Sequence, residues 1–262
     1  MSEPKLPPAT PLKPRRRAII VGASSGIGAA LARRLANEGY SVALLARREK
    51  HLKTLCDGIN AAGAETRALY YVHNVTDIRA IPDLLQRIIA DLGGLDLFVY
   101  NTGIQHFVGL DEFNFTADRE MLETNLIGAL AWLNPVAAMF HSMKAGQIVG
   151  ISSVAGDRGR VGAPAYNTSK AGLTTYLEAL RNRLTRRGVN VLTVKPGFVE
   201  TDILRAAGAK RTFWVISPDQ AADGIWKAIK ARKQTVYVPG QWALLMMVIR
   251  NIPSVIFRRL SF

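Results

Sequence analysis

Ala18-Ile19-Ile20-Val21-Gly22-Ala23-Ser24-Ser25-Gly26-Ile27-Gly28 decides the fold. Four apolar residues run into a glycine-rich turn, and a helical pattern over Ile27–Asn37 opens at once. A short apolar run of this kind reads as a strand buried on both faces. The same alternation continues along the chain. Val42–Leu45, Ala68–Val72, Leu97–Tyr100, Gln147–Ile151 and Val191–Val194 read as further buried strands, and Thr235–Val238 as a last one. Ile78–Leu92 and Ala165–Arg187 carry helical periodicity, the second stopping at Gly188. Ser217-Pro218-Asp219 reads as an N-cap with proline at the first helical position, opening a helix to about Lys233.

Strands alternating with helices make βαβ units. The expected fold class is α/β: a single doubly wound, Rossmann-like parallel sheet of about seven strands, with helices on both faces. Three segments are expected. Residues 1–16, with five prolines and a basic run from Lys13 to Arg17, read as an extended leader. Residues 17–240 form the domain, with a lid at about 201–215. Residues 241–262 form an apolar, basic tail.

Composition narrows the function classes. The chain has 262 residues, 48% of them hydrophobic, and a net charge of +14. A full core is attainable and general disorder is excluded. One cysteine, Cys56, rules out an intrachain disulfide framework. The four histidines, His51, His73, His106 and His141, are scattered without a metal-ligand spacing, so no metal is expected. No run of 18 apolar residues occurs, and no signal-peptide core, so the cytoplasm is the expected compartment. The positive charge fits nucleic acid, anionic lipid or a phosphorylated ligand. No nucleic-acid recognition motif accompanies it, and none is expected to bind.

A doubly wound sheet binds ligands at the carboxyl ends of its strands. Gly22-x3-Gly26-x-Gly28 stands at the first such end. Glycines let a pyrophosphate approach backbone N–H groups at a helix N-terminus, although a plain tight βα loop has the same composition. The second strand ends in Ala46-Arg47-Arg48. No acid is present there for the ribose hydroxyls, and Arg47 offers a planar fork for a 2′-phosphate. That favours NADP(H) over NAD(H). Strand five ends at Ser152-Ser153, and Tyr166 and Lys170 follow at i and i+4 on one helix face. A nearby cation lowers a phenol's pKa toward the range of a useful acid/base.

In these residues the chain resembles the short-chain dehydrogenase/reductase family. The glycine turn, Ser153 and Tyr166-x3-Lys170 match its motifs in order and spacing. So do Asn101-Thr102-Gly103, Asn125 and Pro196-Gly197-Phe198-Val199-Glu200-Thr201. The resemblance implies hydride transfer between NADP(H) and a carbonyl or alcohol, with Asn125, Ser153, Tyr166 and Lys170 as the catalytic set. Tyr166 would move the proton, Lys170 would lower its pKa, Ser153 would position the oxygen, and Asn125 would anchor a water. Gly22, Ser24, Ser25, Gly26, Ile27 and Gly28 would cradle the pyrophosphate. Arg47, Arg48, Asn74, Val75, Asn101, Gly103, Pro196, Gly197, Val199 and Thr201 would complete the cofactor site, together with Tyr166 and Lys170. Three departures stand out: Asn74 replaces an aspartate, Thr102 replaces an alanine, and the glycine turn lacks the basic residue of many NADP-dependent members. The family's habit implies a homodimer or homotetramer.

Phe198, Leu204, Phe213 and Trp214 are the candidate substrate pocket, with Gln105, Val154 and Gly156 opposite. Their character suggests an apolar or lipid-like substrate. The tail, Trp242–Ile249 with Arg250, Arg258 and Arg259, is too short to span a bilayer and is broken by Pro253. It packs on the body or a second subunit, lies in an anionic membrane interface, or covers the pocket. Residues 205–262 hold ten basic residues against two acids. The alternative to an enzyme is a non-catalytic cofactor-binding or membrane-surface protein on the same fold.

Overall fold

The computed structural model describes residues 16–62, 67–206 and 213–260. Most of the leader, part of the lid and the last two residues lie outside them. Seven strands form one all-parallel sheet: β1 (Arg16–Val21), β2 (Tyr40–Ala46), β3 (Ala68–Val72), β4 (Leu97–Tyr100), β5 (Gln147–Ile151), β6 (Asn190–Pro196) and β7 (Thr235–Val238). Their order is β3-β2-β1-β4-β5-β6-β7. Arg16 already pairs with Tyr40, so the sheet begins one residue before the expected start of the domain.

The period of two in β1 builds both cores. Ala18 and Ile20 face α1 (Gly26–Asn37), α2 (Glu49–Ala61) and the late helix Pro218–Lys230, through Leu31, Leu35, Leu52 and Ile225. Ile19 and Val21 face the other layer. That layer holds α3 (Ile81–Leu92), a long helix running through α4 (Phe115–Leu122) and α5 (Gly128–Met143), and α6 (Pro164–Leu184). Trp132, Leu133, Phe140, Leu173 and Leu177 fill it and are fully buried. The helix Phe115–Met143 is long and apolar enough to cross a membrane by length and composition, but these buried residues make it a core helix.

The helix bounds differ from expectation where proline or a turn intervenes. Ile78–Ala80 is a 3₁₀ turn, and α3 starts beside Pro82. Thr185–Arg187 is also 3₁₀, ending in Gly188 with φ 73°. The helix expected to reach Lys233 ends at Lys230, and Arg232 turns left-handed at φ 48°. It starts on a full capping box between Ser217 and Gln220. We number the remaining helices α7 (Asp202–Ala206), α8 (Pro218–Lys230), α9 (Trp242–Asn251) and α10 (Ser254–Phe257).

The chain leaves β1 toward β2 and β3, then crosses back to β4. The carboxyl ends of β1 and β4 therefore flank the switch point, where such sheets take ligands. α9 packs at the carboxyl ends of β5, β6 and β7 instead, burying Trp242 and Met246 against Val154, Phe198 and Tyr237.

Candidate active site

The glycine turn follows β1, and its first two N–H groups donate to Leu45 O at 2.8 and 3.0 Å. Gly22 has φ 90°, and a Cβ there would stand 2.7 Å from Thr102 N. A Cβ on Gly28 would fall inside contact distance of the Gly22 carbonyl oxygen and 2.5 Å from Asn101 Nδ2. Asn101 donates to that carbonyl at 2.8 Å, locking the turn to the end of β4. Ser25 begins α1 without a side-chain cap, and the first turn holds no acid. Its N–H groups therefore remain for an anion. The cradle fits a dinucleotide pyrophosphate on these grounds.

Around the cradle the expected residues are brought together. Arg48 donates to Ser24 Oγ at 3.0 Å and to Ser25 Oγ at 2.5 Å. Its guanidinium lies 3.5 Å from Asp202, which also accepts from Ser25 Oγ at 3.3 Å. The first turn of the lid is thus fastened to the glycine turn. Arg47 is exposed and has no hydrogen bond or ion pair among the described residues. Asn74 is exposed, its Oδ1 accepting from Thr76 N at 3.3 Å, while Val75 is buried beside it. Thr201 stands over Gly26. Val199 pairs with Ile216, so the lid leaves and re-enters the end of β6 at one point. Gly197 N donates to Val238 O at 2.9 Å, just after Pro196 ends β6.

The catalytic candidates converge beside the switch point. Tyr166 and Lys170 are both buried, one turn apart on α6. Lys170 Nζ donates to Ile151 O at 3.1 Å and stands 5.8 Å from the centroid of the Tyr166 ring. Burial, with no carboxylate beside it, lowers the ammonium's pKa to about 8. Burial raises the Tyr166 phenol above its ordinary value, while a hydrogen bond with Ser153 and the charge of Arg160 pull it down. Ser153 is held at the end of β5 by the 3₁₀ turn Val154–Gly156, where its Oγ accepts from Ala155 N at 3.1 Å. A Cβ on Gly103 would stand 3.1 Å from Lys170 Nζ, which places this strand end against the ammonium.

Asn125 is fully buried in a π turn, Glu123–Ile127. Such turns often mark functional sites. Its Oδ1 accepts from Ile104 N at 2.7 Å, and Nδ2 donates to Ile104 O at 2.9 Å and to Ser169 Oγ at 3.1 Å. Both amide protons are committed, so the residue clamps the loop after β4 to α6.

Of the expected pocket residues, Phe198, Phe213 and Trp214 gather round Trp242. Their ring centroids lie 5.4, 5.1 and 5.8 Å from it. Val154 joins through the same buried cluster. Gln105, in the loop after β4, and Leu204, on α7, are half-buried outside it.

Three features escaped the sequence reading. Trp242 is buried at the centre of the aromatic cluster, and its place there depends on how the chain turns after Gly240. Asp157, Lys195 and Tyr237 form a buried cluster. Lys195 pairs with Asp157, and Tyr237 donates to it at 2.7 Å. Arg158 donates to Ile249 O at 2.8 Å and Ile252 O at 2.6 Å, tying the end of α9 to the segment between Ser153 and Tyr166.

Comparison with known proteins then settles the class. The short chain dehydrogenase family model matches residues 16–212. The chain belongs to the short-chain dehydrogenase family. An uncharacterised oxidoreductase from Myxococcus xanthus is 34% identical over 242 residues, 92% of this chain and 94% of the relative. The 3-oxoacyl-[acyl-carrier-protein] reductase FabG of Escherichia coli is 34% identical over 189 residues, 72% of this chain and 75% of that one. A solved actinorhodin polyketide ketoreductase with NADPH superposes with a TM-score of 0.78 at 27% identity, covering 87% of this chain and 97% of that one. This short-chain dehydrogenase is accordingly an NAD(P)-dependent oxidoreductase of the carbonyl/alcohol class.

Proposed function

We propose that the enzyme interconverts an apolar ketone and its alcohol with NADP(H), Tyr166 serving as the general acid/base. The observation that carries this reading is the burial of Tyr166 with Lys170 and Ser153, next to a glycine cradle sized for a pyrophosphate.

The nicotinamide, when bound, supplies or accepts the hydride. Gly22, Ser24, Ser25, Gly26, Ile27 and Gly28 would hold its pyrophosphate, with Asn101, Gly103, Pro196, Gly197, Val199 and Thr201 along its length. Asn74 and Val75 would flank the adenine. Arg47, exposed and unpaired at the end of β2, would take a 2′-phosphate, and Arg48 would support it from the serines. The NADPH in the 27%-identical ketoreductase supports the same preference.

The protein's own steps are few. Ser153 holds the substrate oxygen beside the phenol, and Tyr166 gives that oxygen its proton, or takes it in the reverse direction. The Arg160 charge stabilises the phenolate that remains. Lys170, with a pKa lowered to about 8, is mostly charged at pH 7 and donates inside the site. A water relay past Asn125 would use its carbonyl oxygens, since its amide protons are taken. Phe198, Phe213, Trp214 and Trp242 favour an apolar substrate, with Val154, Gln105 and Leu204 completing the wall.

We take residues 17–240 as the catalytic domain, with the lid at about 201–215 and the tail at 241–262. The tail faces outward with Leu244, Met247, Val248, Val255 and Ile256 exposed, while α9 also buries Trp242 and Met246. A helix apolar on both faces is covered on both. Residues 241–262 contain no acid and three arginines, so the occupant we propose for the outer face is an anionic lipid surface, met by an otherwise cytoplasmic enzyme. The protein should float with vesicles containing phosphatidylserine and not with pure phosphatidylcholine, and Met247→Asp should abolish this. Vesicle binding unaffected by Met247→Asp, or self-association without vesicle binding, would overturn that placement. A homodimer or homotetramer is the assembly we propose from the family's habit, to be measured by sedimentation.

The reaction itself is tested by NADPH oxidation with a panel of aliphatic and cyclic ketones. Turnover that prefers NADPH supports the reading. Tight NADPH binding with no turnover across the panel would favour a non-catalytic role.

A further inference from the structure

Asp157 ends the short turn that begins at Ser153. The turn is closed from within. Ser153 Oγ accepts from Ala155 N at 3.1 Å, Ser153 O accepts from Gly156 N at 3.0 Å, and Val154 O accepts from Asp157 N at 3.1 Å. One side leans on α6, where a Cβ on Gly156 would stand 2.7 Å from the Lys170 carbonyl carbon. On the other side the Asp157 carboxylate meets two strands. Oδ1 pairs with Lys195 Nζ from β6, and Oδ2 accepts from the Tyr237 hydroxyl of β7 at 2.7 Å. Lys195 and Tyr237 are register partners in the sheet, so their donors reach the carboxylate from one level.

Stability alone does not account for this choice. A well-packed apolar pair often serves a buried position as well as an ion pair does, or better. What the charged pair adds is direction. A carboxylate engaged at both oxygens has its orientation fixed, and with it the end of the turn. Ser153 depends on that orientation. Its Oγ already accepts from Ala155 N, and it hydrogen-bonds the Tyr166 phenol, so the turn decides where the hydroxyl stands. A misplacement of about 1 Å at such a group costs about 10²-fold in rate.

We infer that Asp157 is a positioning residue for the reaction: held by Lys195 and Tyr237, it fixes the turn that presents the Ser153 hydroxyl to the substrate oxygen. This rests on the role of Ser153 proposed above. Asp157 acts through the turn and touches no reacting atom.

The test is a mutant cycle on the full-length protein, with NADPH and a ketone accepted by the wild type. The double change Asp157→Leu with Lys195→Met drops the charges and keeps the site filled, so the protein should stay folded. Its kcat should fall by about 10- to 100-fold with NADPH affinity held. In the wild type, Ser153→Ala should cost about 10²- to 10³-fold. In the double variant that step should shrink by the factor already lost, because both changes remove one interaction. An undiminished Ser153→Ala step, wild-type turnover in the double variant, or a loss of NADPH affinity in step with kcat would overturn the inference. Tyr237→Phe, which keeps the ion pair and removes one hydrogen bond, runs the same cycle if the double variant does not fold. It should lower kcat by a smaller factor that Ser153→Ala absorbs, and unchanged turnover would overturn the inference there.

Hydrogen exchange separates this inference from the reaction. The amides of Ala155, Gly156 and Asp157 should exchange faster in the variant than in the wild type. Faster exchange, with a Ser153→Ala change that costs the wild type nothing, would uphold the fixing of the turn and overturn the role of Ser153. Equal exchange in the two proteins would overturn the inference and leave the reaction standing.

Discussion

The Lys170 ammonium is sealed one helical turn from Tyr166, 5.8 Å from its ring centroid, with Ile151 O as its hydrogen-bond acceptor. Burial has no compensating carboxylate there, which is why its pKa falls from 10.5 to about 8. The site therefore holds a cation at the expense of fold stability.

That cost has a sign and a pH window. Unfolded Lys170 keeps its proton to about pH 10.5, whereas the folded side chain releases it near 8. Between those values the unfolded state binds more protons, so stability rises with pH through the window. Below pH 8 the full penalty of about 3 kcal/mol is present. Lys170→Met should abolish activity. It should also raise the melting temperature of cofactor-free protein more at pH 7 than at pH 9.5. A gain that does not shrink with pH would contradict the burial argument.

Cofactor preference should respond to Arg47 alone. Arg47→Ser removes an exposed, unpaired guanidinium at the end of β2 and touches no packing. The kcat/KM ratio of NADPH to NADH should fall by about 10- to 100-fold. An unchanged ratio would move the phosphate contact to Arg48.

Two glycines should behave oppositely. Gly28→Ala drives a Cβ into the Gly22 carbonyl oxygen, and should abolish NADPH binding and destabilise by about 1–3 kcal/mol or more. Gly58, inside α2, has open space around its missing Cβ. Gly58→Ala should stabilise by about 0.5–1 kcal/mol. Urea denaturation with fluorescence reads both.

The buried pair of Asp157 and Lys195 makes a further demand. Their side chains are 2% and 7% exposed, so neither charge has water to fall back on. Asp157→Ala should cost about 3–5 kcal/mol by stranding Lys195. The double change Asp157→Leu with Lys195→Met should recover most of it. A single-variant loss below about 1 kcal/mol, the worth of an exposed pair, would show that the pair is solvated.

What was legible in the sequence follows from local spacing. The strand Ala18–Val21, its glycine turn and the Tyr166–Lys170 pair all express themselves within a few residues, so the doubly wound parallel sheet and the reaction class could be read, while the strand order came only from the fold. The helix α2 has a readable apolar row, Leu52, Cys56 and Ile59, but charged neighbours blur its ends. Asp157 and Lys195 are 38 residues apart and meet only because β5 and β6 are neighbours. Arg160 belongs to a segment without periodicity, and only the fold shows that Asn167 holds its backbone against α6. The direction of α9 is likewise set by packing of Trp242, which no local pattern announces. The charge divides in the fold. Arg16, Arg17 and Arg232 lie at the strand-start edge, where Asn190 donates to Arg232 O at 3.0 Å, while Arg47, Arg48 and Arg160 lie at the ligand edge.

The central claim is that the Tyr166 phenol carries the proton. Tyr166→Phe removes one oxygen from a packed ring and leaves the cradle alone. Its turnover with NADPH and a ketone accepted by the wild type should fall by about 10²- to 10⁴-fold, with NADPH affinity and melting temperature held. Turnover close to wild type in a folded, NADPH-binding Tyr166→Phe protein would contradict the account.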